Sequence, residues 1–192
     1  MKLIFDIEGD NLLDKLTTVW MIVAQEIGTE RTYVFSDHAE NAMPLSDWPE
    51  FASRATVLSG HNIYGYDLPA LKMMMGWEPD YEKQKIIDTL ILSWMVDYKQ
   101  KGGHSLGSWG ERFNFPKGDF HEFHQYSDEM LKYCIQDVKL NERLFRHLSS
   151  QCKAISEKKE LFKLGMKTEH DWAYWEMRMR CLLYTSPSPR DS

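Results

Sequence analysis

The stretch Leu3-Ile4-Phe5-Asp6-Ile7-Glu8 decides how this sequence is read. Its residues alternate with the period of two that belongs to a strand, and Gly9-Asp10-Asn11 ends the run. Successive side chains on a strand point to opposite faces. Leu3, Phe5 and Ile7 therefore share one face, and Asp6 and Glu8 share the other. Two acids on one face repel each other unless a cation or solvent lies between them. Alone the pattern is weak, because the exposed face of an edge strand carries such acids too.

Val19-Trp20-Met21-Ile22-Val23-Ala24 and Arg31-Thr32-Tyr33-Val34-Phe35 are two further β-rich runs. The short polar connection Gly28-Thr29-Glu30 predicts an antiparallel meander. A helix is expected at Ser46-Asp47-Trp48-Pro49-Glu50-Phe51, with Asp47 as N-cap and Pro49 in its first turn. Thr56-Val57-Leu58-Ser59-Gly60 reads as a short apolar strand. Asp67-Leu68-Pro69 opens a helix that Gly76 closes. Ile86-Ile87-Asp88-Thr89-Leu90-Ile91-Leu92 fits strand and helix equally. Residues 105–112 predict a helix, and residues 127–148 a long one capped by Ser127. Its apolar stripe is Leu131, Ile135, Val138, Phe145 and Leu148. Early strands followed by alternating helix and strand imply an α/β or α+β sheet protein.

Composition narrows the class. The chain has 192 residues, 43% hydrophobic and 27% charged, which excludes collagen-like, coiled-coil and wholly disordered proteins. No run of about 18 apolar residues exists, so no membrane span is expected. Acid already at Asp6 argues against a signal peptide. Cys134, Cys152 and Cys181 have no disulfide-framework or metal-ligand spacing, which points to a reducing, cytoplasmic setting. The net charge of −6 argues against a general DNA-binding module. It remains compatible with carboxylates that hold divalent cations, whose charge then faces a phosphate.

Two later segments also carry acids. In His61-Asn62-Ile63-Tyr64-Gly65-Tyr66-Asp67, Asp67 falls at a strand-to-helix junction. A helix N-cap would explain Asp67, but not Asn62, Gly65 and Tyr66. In Tyr133-Cys134-Ile135-Gln136-Asp137, Tyr133 and Asp137 are four apart and share a helix face. Taken singly, a packed Tyr and a solvated Asp would suffice.

Together, D-x-E, N-x-x-x-Y-D and Y-x-x-x-D in this order resemble the three motifs of the DnaQ-like exonucleases. Tyr in the third motif resembles their DEDDy subtype. Ile87-Asp88-Thr89-Leu90, His104-Ser105-Leu106-Gly107-Ser108-Trp109-Gly110, Lys117-Gly118-Asp119-Phe120 and Lys167-Thr168-Glu169-His170-Asp171-Trp172-Ala173-Tyr174 are similar to phage-type family A DNA polymerases. In those, a proofreading exonuclease precedes the polymerase.

The resemblance implies an RNase H-like α/β fold: a mixed sheet with antiparallel first three strands, flanked by helices. It implies a metal-dependent 3′→5′ exonuclease acting on the 3′ end of single-stranded DNA with two divalent cations, Mg2+ or Mn2+. Asp6 would bridge both ions, Glu8 and Asp137 would hold the one that activates water, and Asp67 would help hold the other. Tyr133 would orient the water, and Asn62 would hydrogen-bond the terminal nucleotide. Residues 1–150 would form the exonuclease domain and residues 151–180 the start of a connection to a polymerase domain. Residues 181–192 break from the preceding helical segment and read as an in-frame translated sequencing adapter, so the natural chain is expected to continue into the polymerase. A stand-alone DEDDy exoribonuclease and a non-catalytic docking module share the same motifs.

Other residues have a bland reading beside the functional one. Phe120, Phe123 and Tyr126 could stack bases, but core packing is favoured, because aromatics are mostly buried. His61 and His104 read as structural. The pair His121 and His124 lacks a third ligand nearby in sequence. Lys101 and Lys117 could contact phosphate or simply be solvated.

Overall fold

The computed structural model describes residues 1–97 and 99–157. The expected connection at 151–180 lies mostly outside the described residues, and the expected adapter tail at 181–192 lies wholly outside them. Strands β1 (Lys2–Gly9), β2 (Val19–Glu26) and β3 (Thr32–Phe35) are followed by a short 3-10 turn (Leu45–Asp47) and helix α1 (Trp48–Ser53). Strand β4 (Val57–Gly60), helix α2 (Asp67–Met75), strand β5 (Lys85–Asp88) and helices α3 (Thr89–Val96), α4 (Leu106–Arg112) and α5 (Asp128–Glu157) complete the order.

The five strands form one mixed sheet in the order β3-β2-β1-β4-β5. The first three pair antiparallel, while β1–β4 and β4–β5 are parallel. This is the α/β, RNase H-like architecture that the resemblance implied. β1 therefore lies in the middle of the sheet, which corrects the edge-strand alternative. Both of its faces are covered. Leu3, Phe5 and Ile7 pack with Trp48 and Ala52 of α1 and Leu71 of α2. Ile4 packs with Met130, Cys134 and Val138 of α5 on the other face. The acids Asp6 and Glu8 follow Ile4 in the strand period, so they look toward α5.

Four local readings are refined. Asp47 makes no side-chain cap bond at α1; instead Asp37 Oδ1 accepts from Leu45 N at 3.1 Å. The ambiguous run at 86–92 divides between β5 and α3 because Asp88 ends the strand and caps the helix, accepting from Leu90 N at 2.8 Å. Ser127 caps α5 as expected, accepting from Met130 N at 3.1 Å. That helix continues to Glu157, past the expected end at 148, because no proline or glycine interrupts it. Its buried apolar residues are Met130, Cys134, Val138, Leu140, Leu144 and Leu148; Leu131, Ile135 and Phe145 are only half-buried. The deep contacts are thus set by two neighbours, the sheet for its first half and α3–α4 for its second. Gly76 closes α2 in the left-handed conformation, φ 66°. Thr89 Oγ1 at the start of α3 donates to Asn141 Oδ1 at 2.7 Å, which fixes α5 along the sheet.

Candidate active site

β1 runs further than its parallel partner. The β1–β4 ladder covers Lys2 to Ile4, and beyond it the backbone on that side has no strand beside it. The chain leaves β4 at Gly60, turns through residues 61–66 and starts α2 level with this gap. Asp67 is the first residue of α2, not its cap, and its Oδ1 accepts the Ile7 N–H at 3.2 Å. A carboxylate thus takes the place of the missing strand, and it stands beside Asp6. The other edge of β1 changes register between Glu8 and Gly9, a bulge that ends the pairing next to the acids.

α5 crosses the face carrying Asp6 and Glu8 and delivers Tyr133 and Asp137. Glu8, Asp67 and Asp137 are 8%, 2% and 2% exposed. Carboxylates are seldom buried this deeply without a partner. Ligand atoms of Asp6, Glu8 and Cys134 lie within 4.8 Å of one another. At about 4 Å, two ionised carboxylates repel by about 4 kcal/mol even at an effective dielectric constant of 20. The acids respond by keeping protons. Burial, then the Asp137 charge, pushes the Asp6 carboxyl up to about 7. Burial and the Asp6 charge hold Glu8 and Asp67 well above the ordinary carboxylate range. Contact between the Asp6 and Asp67 side chains adds to this, raising Asp67 and lowering Asp6. Burial raises Asp137 too, against the pull of Lys117.

These residues fit a hard divalent cation. Apart from the Cys134 thiol, the donors are carboxylate oxygens. Asp137 Oδ1 is a buried acceptor with no hydrogen-bond partner. Cys134 is the exception in the cluster. Burial and the surrounding acids push its thiol well above its usual range, and its Sγ approaches the Asp6 carbonyl at 3.9 Å. It therefore stays a protonated, packed thiol.

Tyr133 stands at the rim. Its hydroxyl, pushed up to about 12 mainly by burial, hydrogen-bonds to Asp137 and to the Lys117 ammonium. Phe120 and Phe123 pack on its ring at centroid distances of 5.8 and 6.1 Å. These aromatics are half-buried core neighbours, and Phe123 also lines a cleft of about 460 Å3 beside Glu8. Asn11, Leu12, Tyr66, His121 and His124 line the same cleft. His121 pairs with Asp119 at 2.8 Å.

Asn62 is placed differently from the acids. It is exposed, in the left-handed conformation (φ 62°), and its N–H donates to Asp88 Oδ1 at 2.9 Å. Its side chain lies over Gly65, where a Cβ would come within 2.4 Å of Asn62 Oδ1. The glycine in this motif thus makes room for the asparagine.

Two residues named in the sequence have roles that their own segments did not reveal. Asp88 holds the Asn62, Tyr64 and Leu90 N–H groups at once, and so fixes the turn that carries Asp67. Its position just before an apolar helix was the available signal. Lys117 forms an ion pair with Asp137 at 2.9 Å, which no spacing rule reveals. His61 and His104 are structural: their Nδ1 atoms bond Thr89 and Ser93 at 3.0 and 2.7 Å. Lys101 is exposed and gives its carbonyl to Arg112.

No family model matches the chain. The DNA-directed DNA polymerase of Enterobacteria phage T3 is 26% identical over 189 aligned positions, covering 77% of this chain and 26% of that protein. The polymerase of Escherichia phage T7 is 25% identical over 187 positions, with the same coverage. The chain therefore spans about a quarter of the length of these relatives. Among solved structures, Brucella melitensis NrnC with bound Mg2+ superposes with a TM-score of 0.63 at 16% identity, covering 97% of this chain and 89% of that one. Escherichia coli RNase D, an exoribonuclease, superposes with a TM-score of 0.58 at 15% identity over 80% of this chain and 40% of that one. The chain is similar in fold to the DnaQ-like exonucleases and in sequence to phage-type family A DNA polymerases.

Proposed function

We propose that the chain is a 3′→5′ exonuclease that shortens single-stranded DNA from its 3′ end, proofreading for a family A polymerase domain beyond this piece. The observation that carries the reading is the convergence of Asp6, Glu8, Asp67 and Asp137, with Tyr133, at the end of β1. Residues 1–150 form the nuclease unit of this proposal.

Asp6, Glu8, Asp67 and Asp137 would hold two divalent cations, Mg2+ or Mn2+. When bound, such a pair makes a water nucleophilic near neutral pH and stabilises charge on the phosphate and the leaving oxygen. The chain's own residues supply the rest. Asp6, Glu8 and Asp67 give up the protons that burial favours, and together with the Asp137 carboxylate they act as ligands. Tyr133, with its hydroxyl pushed up to about 12, keeps its proton and orients the attacking water rather than serving as a base. Asn62 and the cleft beside Glu8 receive the terminal nucleotide. The Mg2+ bound in the similar NrnC structure supports the choice of ion.

A stand-alone exoribonuclease is the second reading, favoured by the likeness to RNase D. The test sets 5′-labelled single-stranded DNA against RNA of the same sequence, with Mg2+. Faster stepwise shortening of DNA from the 3′ end is expected. Shortening of RNA alone would select the second reading, and binding without shortening would leave a docking module.

A further inference from the structure

We propose that Lys117 is a positioning residue that holds Asp137 and Tyr133 in place and competes with a divalent cation for the Asp137 carboxylate. The inference rests on the reading of Asp137 as a metal ligand.

Three contacts carry it. Lys117 Nζ lies 2.9 Å from Asp137 Oδ2. The same ammonium hydrogen-bonds to the Tyr133 hydroxyl and lies 5.0 Å from its ring centroid. Tyr133 in turn bonds to Asp137, so the three side chains close a triangle. The loop holds Lys117 there by packing. A Cβ on Gly118 would come within 2.9 Å of Tyr133 Cδ2, so the backbone after Lys117 lies directly on the ring. Gln136 Nε2 of α5 donates to the Pro116 carbonyl at 3.1 Å, just before Lys117. Further along, Trp20 Nε1 of β2 donates to the Phe123 carbonyl at 2.8 Å.

The charges explain why the position matters. Four acids converge here, and Lys117 is the cation whose charge acts on Asp6, Glu8 and Asp137. Deleting one partner of a buried ion pair leaves an uncompensated charge, which is strongly destabilising. A divalent cation on Asp137 removes that cost, because it satisfies the same carboxylate. Lysine suits such an exchange. Its ammonium is compact and strongly hydrated on a flexible stem, and at 34% exposure the side chain has a route to solvent. Lys117 and the metal thus draw on one carboxylate, and each weakens the hold of the other.

The test titrates the full chain with Mn2+ alone by calorimetry, using the native sequence, K117M and K117R, and follows thermal unfolding in chelator and in Mn2+. K117M should bind Mn2+ about tenfold more tightly than the native chain. It should melt lower in chelator and regain the difference when Mn2+ is added. K117R keeps the charge on Asp137 and should bind Mn2+ no more tightly than the native chain. A merely structural lysine would lower melting with and without Mn2+ and leave affinity unchanged. A folded K117M that binds Mn2+ no more tightly than the native chain would overturn the proposal. If K117M is unfolded in chelator, refolding by Mn2+ supports the proposal, and failure to refold overturns it. Absence of Mn2+ binding by the native chain would instead overturn the two-metal reading, and this inference with it.

Discussion

At the residue scale, the site is a set of acids whose protons depend on what stands next to them. Asp6→Ala, Glu8→Ala or Asp137→Ala should abolish hydrolysis in the oligonucleotide assay while the circular dichroism spectrum stays native. Tyr133→Phe leaves all four carboxylates and should slow hydrolysis roughly ten- to a hundredfold. Full activity in Asp6→Ala would remove the carboxylates from the chemistry. The raised acids also set a pH dependence. Asp6 titrates near 7 in the folded chain and near 3.8 in the unfolded one. The folded state therefore binds the extra proton, and stability falls as pH rises through that window. His61, held down to about 4 by burial, works the other way, but only below its ordinary value of 6.5. Between pH 6.5 and 8.5 the raised acids, Asp6 together with Glu8 and Asp67, should dominate. Melting temperature in chelator should fall over that interval, and Mg2+ should reduce the fall. A melting temperature that rises with pH in chelator would mean that these acids are ionised in the folded chain.

At the element scale, the sequence was legible where local chemistry decides and ambiguous where neighbours do. The alternation in β1 and the Ser127 cap of α5 needed only periodicity and one hydroxyl. The three acid motifs were readable as a set, because their order along the chain is itself information. The burial of β1 on both faces was not readable, because it depends on β4 pairing beside it and α5 crossing it. What anchors Asp67 was hidden for the same reason: its partner is the Ile7 N–H, sixty residues away. Lys117 could be named but not placed, since nothing in its own segment points to α5. Asp88 shows how one residue can join elements, because it closes β5, opens α3 and holds the turn after β4. Asp88→Ala would strand three N–H groups. It should cost about 2 kcal/mol and lower the melting temperature by roughly 4–8 °C. It should also slow hydrolysis by loosening the turn that carries Asp67. An unchanged melting temperature would show that the turn is held by other contacts.

At the scale of the whole molecule, one strand end, one helix start and one long helix meet at the open end of the sheet. The central strand brings Asp6 and Glu8, α2 brings Asp67, and α5 brings Tyr133 and Asp137. A chain with a net charge of −6 thereby concentrates negative charge where metal ions, not lysines and arginines, would meet a phosphate. Among the described residues, no helix is long and apolar enough to cross a membrane. The match to about a quarter of the phage polymerases fits the proposal of a nuclease unit that receives its strand from another domain.

The most direct measurement incubates 5′-labelled single-stranded DNA with the native chain and with Asp6→Ala, each in Mg2+ and in chelator. Two-metal hydrolysis predicts a ladder that shortens from the 3′ end only with the native chain in Mg2+. A ladder of equal strength in chelator, or with Asp6→Ala, would contradict it.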